Sequence, residues 1–280
     1  MNQQTCAIVA GSGTFPRQVA QEAKRRGLKV VAFGLRGWAD PSLADAVDVY
    51  EEVAVGQLGH LIARLKTHHA AQVVMAGKVT KGVLFDASVQ FDGETLQLLR
   101  QAKDTSVQAL LGAVGARLAQ DGMLLLDSSV FLKESLCAAG VLTRRAPTAE
   151  EQRDVQVGLR VARALAHLDI GQTAVVKRQV VVAVEALEGT DATIRRAGQL
   201  AGDGLVVVKM ASPAQDMRFD LPILGPQTID VCVASGVRCI AVEAHKTLFL
   251  DRAALLEKAD TAGLACVGIE SAQMGTTATE

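Results

Sequence analysis

The sequence is poor in aromatic side chains, which make up 3% of it and include a single tryptophan, Trp38. A platform for stacked nucleobases needs several, and a net charge of −1 sets up no basic field, so nucleic acid is not an expected partner. No apolar run approaches the roughly 20 residues that a membrane span needs. The N-terminus lacks the charged region and apolar block of a signal peptide, so the expectation is a cytoplasmic protein. The cysteines, Cys6, Cys137, Cys232, Cys239 and Cys266, are odd in number and form no Cys-x-x-Cys pair, which reads as reduced core residues. His60, His68, His69, His167 and His245 are scattered, with no His-x-His or His-Glu-x-x-His string to hold zinc. Nor is there a Gly-x-Ser-x-Gly nucleophile elbow. What remains for chemistry is carboxylates, which favour Mg²⁺ or Mn²⁺.

Hydrophobic residues are plentiful at 49%, and with no span to absorb them they must fill cores or line a groove for an apolar ligand. A length of 280 residues suits one large domain or two modest ones. Residues 6–10 form an apolar strand, followed by Gly11-Ser12-Gly13-Thr14, a helix to about Arg26, and a second strand at 28–33. The loop lies at the carboxyl end of a strand, where open α/β sheets bind ligands. Without a third glycine it is not the full dinucleotide fingerprint, which argues against a nicotinamide-dependent oxidoreductase. It reads as a phosphate or nucleotide loop or as a plain tight turn. A helix fits residues 57–68, and a buried strand at 72–76 delivers Gly77-Lys78-Val79-Thr80-Lys81, a second candidate contact for phosphate or sugar or else a solvated lysine turn. Strands and helices keep alternating, as a mostly parallel sheet requires. The fold class expected is α/β with two domains: a Rossmann-like parallel-sheet domain over residues 1–137, a linker at 138–147, and a mixed α/β catalytic domain over 148–280. Thr148 and Glu151 read as a capping box at the start of the second domain's first helix.

The densest chemistry is Gln215-Asp216-Met217-Arg218-Phe219-Asp220-Leu221-Pro222. With a period of two it is a strand, Asp216, Arg218 and Asp220 on one face and Met217, Phe219 and Leu221 on the other. Two carboxylates flanking a guanidinium could hold a hard cation beside a phosphoryl oxygen. An ordinary surface Asp–Arg–Asp ladder would look the same. Upstream, an apolar strand at 180–184 runs into Glu185, Glu188, Gly189, Thr190 and Asp191, which open a helix, and Lys209 ends the next strand. Helix starts offer backbone N–H groups to anions, although Thr190 or Asp191 could equally be a simple cap. Strand alternation puts Glu185 on the opposite face from Glu188 unless the chain turns early, so Glu185 ranks lower.

Three ordered strings, Asp169-Ile170-Gly171-Gln172, Val184 to Asp191 and Gln215 to Gly225, carry a resemblance. They look like those of the bacterial UDP-2,3-diacylglucosamine pyrophosphatases of lipid A biosynthesis, of the type unrelated to metallophosphoesterases. The resemblance runs along nearly the whole chain. It implies hydrolysis of a diacylated UDP-sugar lipid to UMP and lipid X with Mg²⁺ required, and two domains that close over the substrate. By the same resemblance Asp220 matches the catalytic aspartate, a metal ligand that organises the attacking water, with Asp216 and Arg218 beside it. Glu188 and Asp191 are further metal candidates. Gly11, Ser12, Gly13, Gly77, Lys78, Val79, Gln172, Thr190 and Lys209 would hold phosphate or sugar. Transient contact with the inner-membrane surface and a homodimer are compatible with that role. The rival of another class is a non-catalytic module that binds a nucleotide-sugar or lipid.

Overall fold

The computed structural model describes residues 3–80, 83, 86, 88–101, 107–212 and 215–270. Lys81 lies outside them, and so do the first residues of the helical pattern that the sequence carries over residues 104–121. The chain forms two compact units: Met1–Leu132 with Asp216–Asp220, and Lys133–Gln215 with Leu221–Glu280.

The first unit contains β1 (Thr5–Ala10), α1 (Phe15–Arg25), β2 (Lys29–Leu35), β3 (Val49–Val53), α2 (Leu58–Thr67), β4 (Gln72–Ala76), α3 (Gly93–Gln101), α4 (Val107–Gln120) and β5 (Leu124–Leu125). Its strands make one parallel sheet in the order β3-β2-β1-β4-β5. β1 is buried along its whole length and β2 through its middle, which is why they read as unbroken apolar runs rather than alternating ones. α2 turns Leu58, Leu61, Ile62 and Leu65 inward, the stripe its spacing predicts. β3 was not legible as a strand: Val-Tyr-Glu-Glu-Val lies at the sheet edge and is only partly buried, so it carries no apolar run. The order reverses between β1 and β4, the arrangement of a Rossmann-like sheet.

The second unit contains β6 (Gly140–Val141), α5 (Ala149–His167), β7 (Thr173–Lys177), β8 (Val180–Val184), α6 (Thr190–Ala201), β9 (Leu205–Lys209), β10 (Ile223–Leu224), α7 (Pro226–Ala234), β11 (Val237–Glu243), β12 (Leu248–Phe249), α8 (Arg252–Thr261) and β13 (Ala265–Ile269). Six strands form a mixed sheet, β6-β13-β11-β9-β7-β8, in which β9, β11 and β13 are parallel and β7 is antiparallel to both its neighbours. β10 and β12 make a separate parallel pair. Alternation along β9 sends Val206 and Val208 into the core beneath α5, while Leu205 and Val207 face a second core shared with α6, α7 and α8. The fold class is therefore α/β in two parts, a parallel sheet and a mixed one.

α5 begins with the expected capping box: Thr148 Oγ1 accepts from Glu151 N–H, and Glu151 Oε2 accepts from Thr148 N–H at 2.8 Å. Within residues 138–147, read as a linker from the sequence, β6 pairs antiparallel with β13 and Arg145 makes a two-armed salt bridge to Glu151. That stretch is built into the second unit. No described helix is long and apolar enough to cross a membrane.

The expected strand over residues 216–221 is not one. Met217, Arg218 and Phe219 form a turn, because the Asp216 carboxylate accepts from Arg218 N–H at 3.0 Å and the amides of Phe219 and Asp220 reach back to the Asp216 carbonyl. An aspartate two residues before an amide it can cap competes with extended pairing, and here it wins.

Candidate functional site

Two loops that look unrelated in the sequence meet at the strand-order reversal of the first unit. Gly11 N–H donates to the Ala76 carbonyl at 2.8 Å, Ser12 N–H to Lys78 O at 2.9 Å, and Lys78 N–H to Ser12 O at 3.0 Å. The Ser12 hydroxyl also donates to Lys78 O at 2.8 Å. The loop after β1 and the loop after β4 are thus one antiparallel bridge. Glycine is required on both sides. A Cβ on Gly11 would stand 2.7 Å from the Lys78 carbonyl oxygen, and one on Gly77, whose φ is +93°, would stand 2.7 Å from the Gly11 carbonyl carbon. Gly13 has a φ of +96° and leads into α1, and Lys78 is exposed beside Val79. Ligands of open α/β sheets sit at such a reversal, outside the carboxyl ends of the strands.

The Asp216–Asp220 segment docks on the same unit. Ser128, 2% exposed, donates its N–H to Met217 O at 2.9 Å, and its hydroxyl lies 2.7 Å from Met75 O and 2.8 Å from Arg218 O. Phe219 packs into the first unit's core. Arg218 grips Asp216 with two arms, Nε to Oδ1 at 2.9 Å and Nη2 to Oδ2 at 2.6 Å. These hydrogen bonds hold the Asp216 carboxyl below the usual carboxylate range and push the guanidinium up. The first half of the expected cluster, Asp216 with Arg218, is therefore a formed pair. Asp220 follows it on the same turn.

The second unit gathers its polar side chains at the carboxyl edge of β9. Lys209 Nζ donates to Thr190 Oγ1 at 2.9 Å, and that hydroxyl lies 3.1 and 3.2 Å from the two oxygens of Glu185. Thr173 Oγ1 lies 3.3 Å from Thr190 Oγ1, and Lys209 Nζ 4.0 Å from Glu185. Gln172 Nε2 donates to Gln215 Oε1 at 3.4 Å. Glu185 ranked low on strand alternation, but β8 ends at Val184, the chain turns there, and the carboxylate is buried. Strand ends are where period-two reasoning fails, and the Gly and Thr that follow were the available signal. Thr173 carried none. Glu188 is engaged by Arg196 Nη2 at 2.7 Å, Thr193 Oγ1 and Ala186 N–H, and its pKa is lowered first by its own backbone N–H and next by Arg196. Asp191 lies in the first turn of α6 with Oδ1 buried and, among the described residues, no hydrogen-bond partner to it. Asp220 belongs to one unit, Glu188 and Asp191 to the other.

Fold and side chains define a two-part α/β protein whose polar groups collect at the carboxyl ends of parallel strands. The LpxI N-terminal domain matches residues 5–135 and the LpxI C-terminal domain residues 138–267. A relative from Caulobacter vibrioides, 32% identical over 276 residues that cover 94% of this chain and 96% of its own, bears the name UDP-2,3-diacylglucosamine pyrophosphatase LpxI. The chain belongs to the LpxI family, as the three motifs implied. Among solved structures, CobK precorrin-6A reductase is similar at 13% identity over 96% of this chain and 88% of that one, with a TM-score of 0.30. The biotin carboxylase domain of a thermophilic 2-oxoglutarate carboxylase follows at 9% identity, covering 61% of this chain and only 34% of its own, with a TM-score of 0.27. Neither likeness is strong enough to bear on fold or function.

Proposed function

We propose that this chain hydrolyses the pyrophosphate bond of UDP-2,3-diacylglucosamine in lipid A synthesis, releasing UMP and 2,3-diacylglucosamine 1-phosphate, lipid X, with Mg²⁺ required. The observation that carries this is the likeness to the Caulobacter vibrioides pyrophosphatase over 94% of the chain. The paired glycine loops at the β1/β4 reversal support it, since they suit an anionic ligand.

Phosphoanhydride hydrolysis needs charge on the non-bridging oxygens neutralised, a water aligned with the P–O bond and the departing phosphate stabilised. Mg²⁺, when bound, supplies the charge neutralisation. Among the described residues no three or more His, Cys, Asp or Glu side chains gather into a metal-holding group. Mg²⁺ at phosphates takes one or two protein carboxylates and completes its shell with substrate oxygens and water, so the donor set fits a cation that arrives with the pyrophosphate. Asp220 is the proposed ligand. Asp191, with its orphaned buried Oδ1, and Glu188 are the alternatives.

Asp220 would also accept the proton of the attacking water. Arg218 keeps Nη1 outside its pairing with Asp216 and would donate it to a phosphoryl oxygen. Gly11, Ser12, Gly13, Gly77, Lys78 and Val79 would cradle phosphate or sugar by backbone groups and the Lys78 ammonium, and Gln172, Thr190 and Lys209 would contact phosphate or sugar. Cytoplasmic residence, with transient contact at the inner-membrane surface where the lipid product is needed, and a homodimer complete the proposal.

The test is incubation of the purified chain with the diacylated UDP-sugar and Mg²⁺, followed by mass-spectrometric identification of products. UMP and the sugar 1-phosphate are expected, lost on chelation and restored by Mg²⁺ or Mn²⁺. Saturable binding without UMP release would identify a non-catalytic nucleotide-sugar or lipid-binding module instead.

A further inference from the structure

The cluster at the end of β9 has only one consistent arrangement of protons. A lysine ammonium can only donate and a carboxylate can only accept, so Thr190 Oγ1 accepts from Lys209 at 2.9 Å and gives its single proton to Glu185. Thr173, 3.3 Å from the same oxygen, must then be the donor in that contact. Thr190 has no hydroxyl proton left for a ligand. Lys209 alone in this cluster keeps ammonium protons beyond the one it has given away, and Glu185 supplies its nearby countercharge at 4.0 Å.

Both charged residues are buried, Lys209 8% and Glu185 9% exposed. A buried ion pair is a weak stability device, because desolvation consumes most of what the attraction returns, and an apolar pair of the same volume would hold the strand end as well. Its position at the carboxyl edge of a parallel strand, on the turn into α6, is where a ligand-facing cation needs a fixed direction. We propose that Glu185 is a positioning residue, acting through the Thr190 hydroxyl to hold the Lys209 ammonium in place for an anionic group of the substrate. This rests on the pyrophosphatase reading above.

The test is a double-mutant cycle on the full chain, read as kcat/KM for UMP release from the diacylated UDP-sugar. Glu185→Gln and Lys209→Met should each lose about 10- to 100-fold, the worth of a hydrogen bond to a charged group. Glu185→Gln made in the Lys209→Met background should cost less than about twofold more, since a residue that acts through Lys209 has nothing left to hold. Losses that multiply, or a Glu185→Gln variant at wild-type rate, overturn the proposal. Should Glu185→Gln fail to fold, Thr190→Val breaks the relay while keeping both charges. It should lose activity that Thr190→Ser retains in greater part, and equal rates for the two overturn the proposal. A wild-type chain that releases no UMP sinks the pyrophosphatase reading together with this one, whereas an active wild type with multiplicative losses sinks this one alone.

Discussion

The Ser128 hydroxyl lies 2.8 Å from the carbonyl oxygen of Arg218, 90 residues further along the chain. Together with its N–H bond to Met217 O, this fastens the turn that carries Asp216, Arg218 and Asp220 to the end of the first sheet. Ser128→Ala should cost about 1–2 kcal/mol of stability, as expected for a buried hydrogen-bonding group lost. It should also cut kcat/KM for UMP release about tenfold or more, because small displacements of a reacting group are expensive. Urea unfolding and steady-state kinetics on one preparation check both, and a variant that loses stability but no activity would detach the turn from the chemistry.

Asp220→Ala should lower kcat by about 10²–10⁴-fold, the range for removing a group that moves a proton in the transition state. Substrate affinity, measured by calorimetry, should stay within a few-fold of wild type. Near-wild-type turnover would take Asp220 out of the mechanism.

Gly77→Ala places a Cβ 2.7 Å from the Gly11 carbonyl carbon and imposes a φ of +93° on an L side chain. Strain of this kind costs about 1–3 kcal/mol. The melting temperature should fall, and KM should rise as the two loops are pushed apart. Gly93→Ala is the control, since a Cβ there meets nothing within 4 Å and its φ is unexceptional. An equal effect at both glycines would show that the bridge between the loops is irrelevant.

Glu51 on β3 accepts from Arg64 Nε and Nη2 on α2 at 2.7 and 2.6 Å and lies 2.7 Å from His68 Nε2. The Arg64 hydrogen bonds come first among the causes that lower its carboxyl to about 2, against the opposing effect of burial. A folded value below the unfolded one means stabilisation that is complete above the ordinary carboxylate pKa and lost as pH falls toward the folded value. Glu51→Gln should therefore be less stable than wild type at pH 7, with the gap closing between about pH 4.5 and 2. Denaturant unfolding across that window measures it, and a gap constant with pH would contradict it.

Much of the architecture was legible because it is written in local pattern. The stripe of α2 and the Thr148–Glu151 capping box depend on spacing within one element, and each is found where spacing put it. β3 was not legible, since an edge strand half in water needs no apolar run. The Asp216 segment misled because its alternation is real, while a carboxylate capping the amide two residues on is worth more than pairing with a strand that is not there. Glu185 misled for a related reason: one residue past the end of β8, side-chain direction is set by the turn and no longer by the pleat.

Residue types and their order were enough to place the chain in its family, through three motifs in sequence. A carboxylate inventory without histidine or cysteine clusters is what suggests oxygen ligands and phosphate. Which residues meet is another matter. Ser12 with Lys78, Ser128 with Arg218 and Glu185 with Lys209 are separated by 66, 90 and 24 residues along the chain, the last being the difference of the two residue numbers. Periodicity carries no information across such distances, because the pairing is chosen by how strands order themselves in a sheet and where each one stops, and those follow from packing the whole core at once.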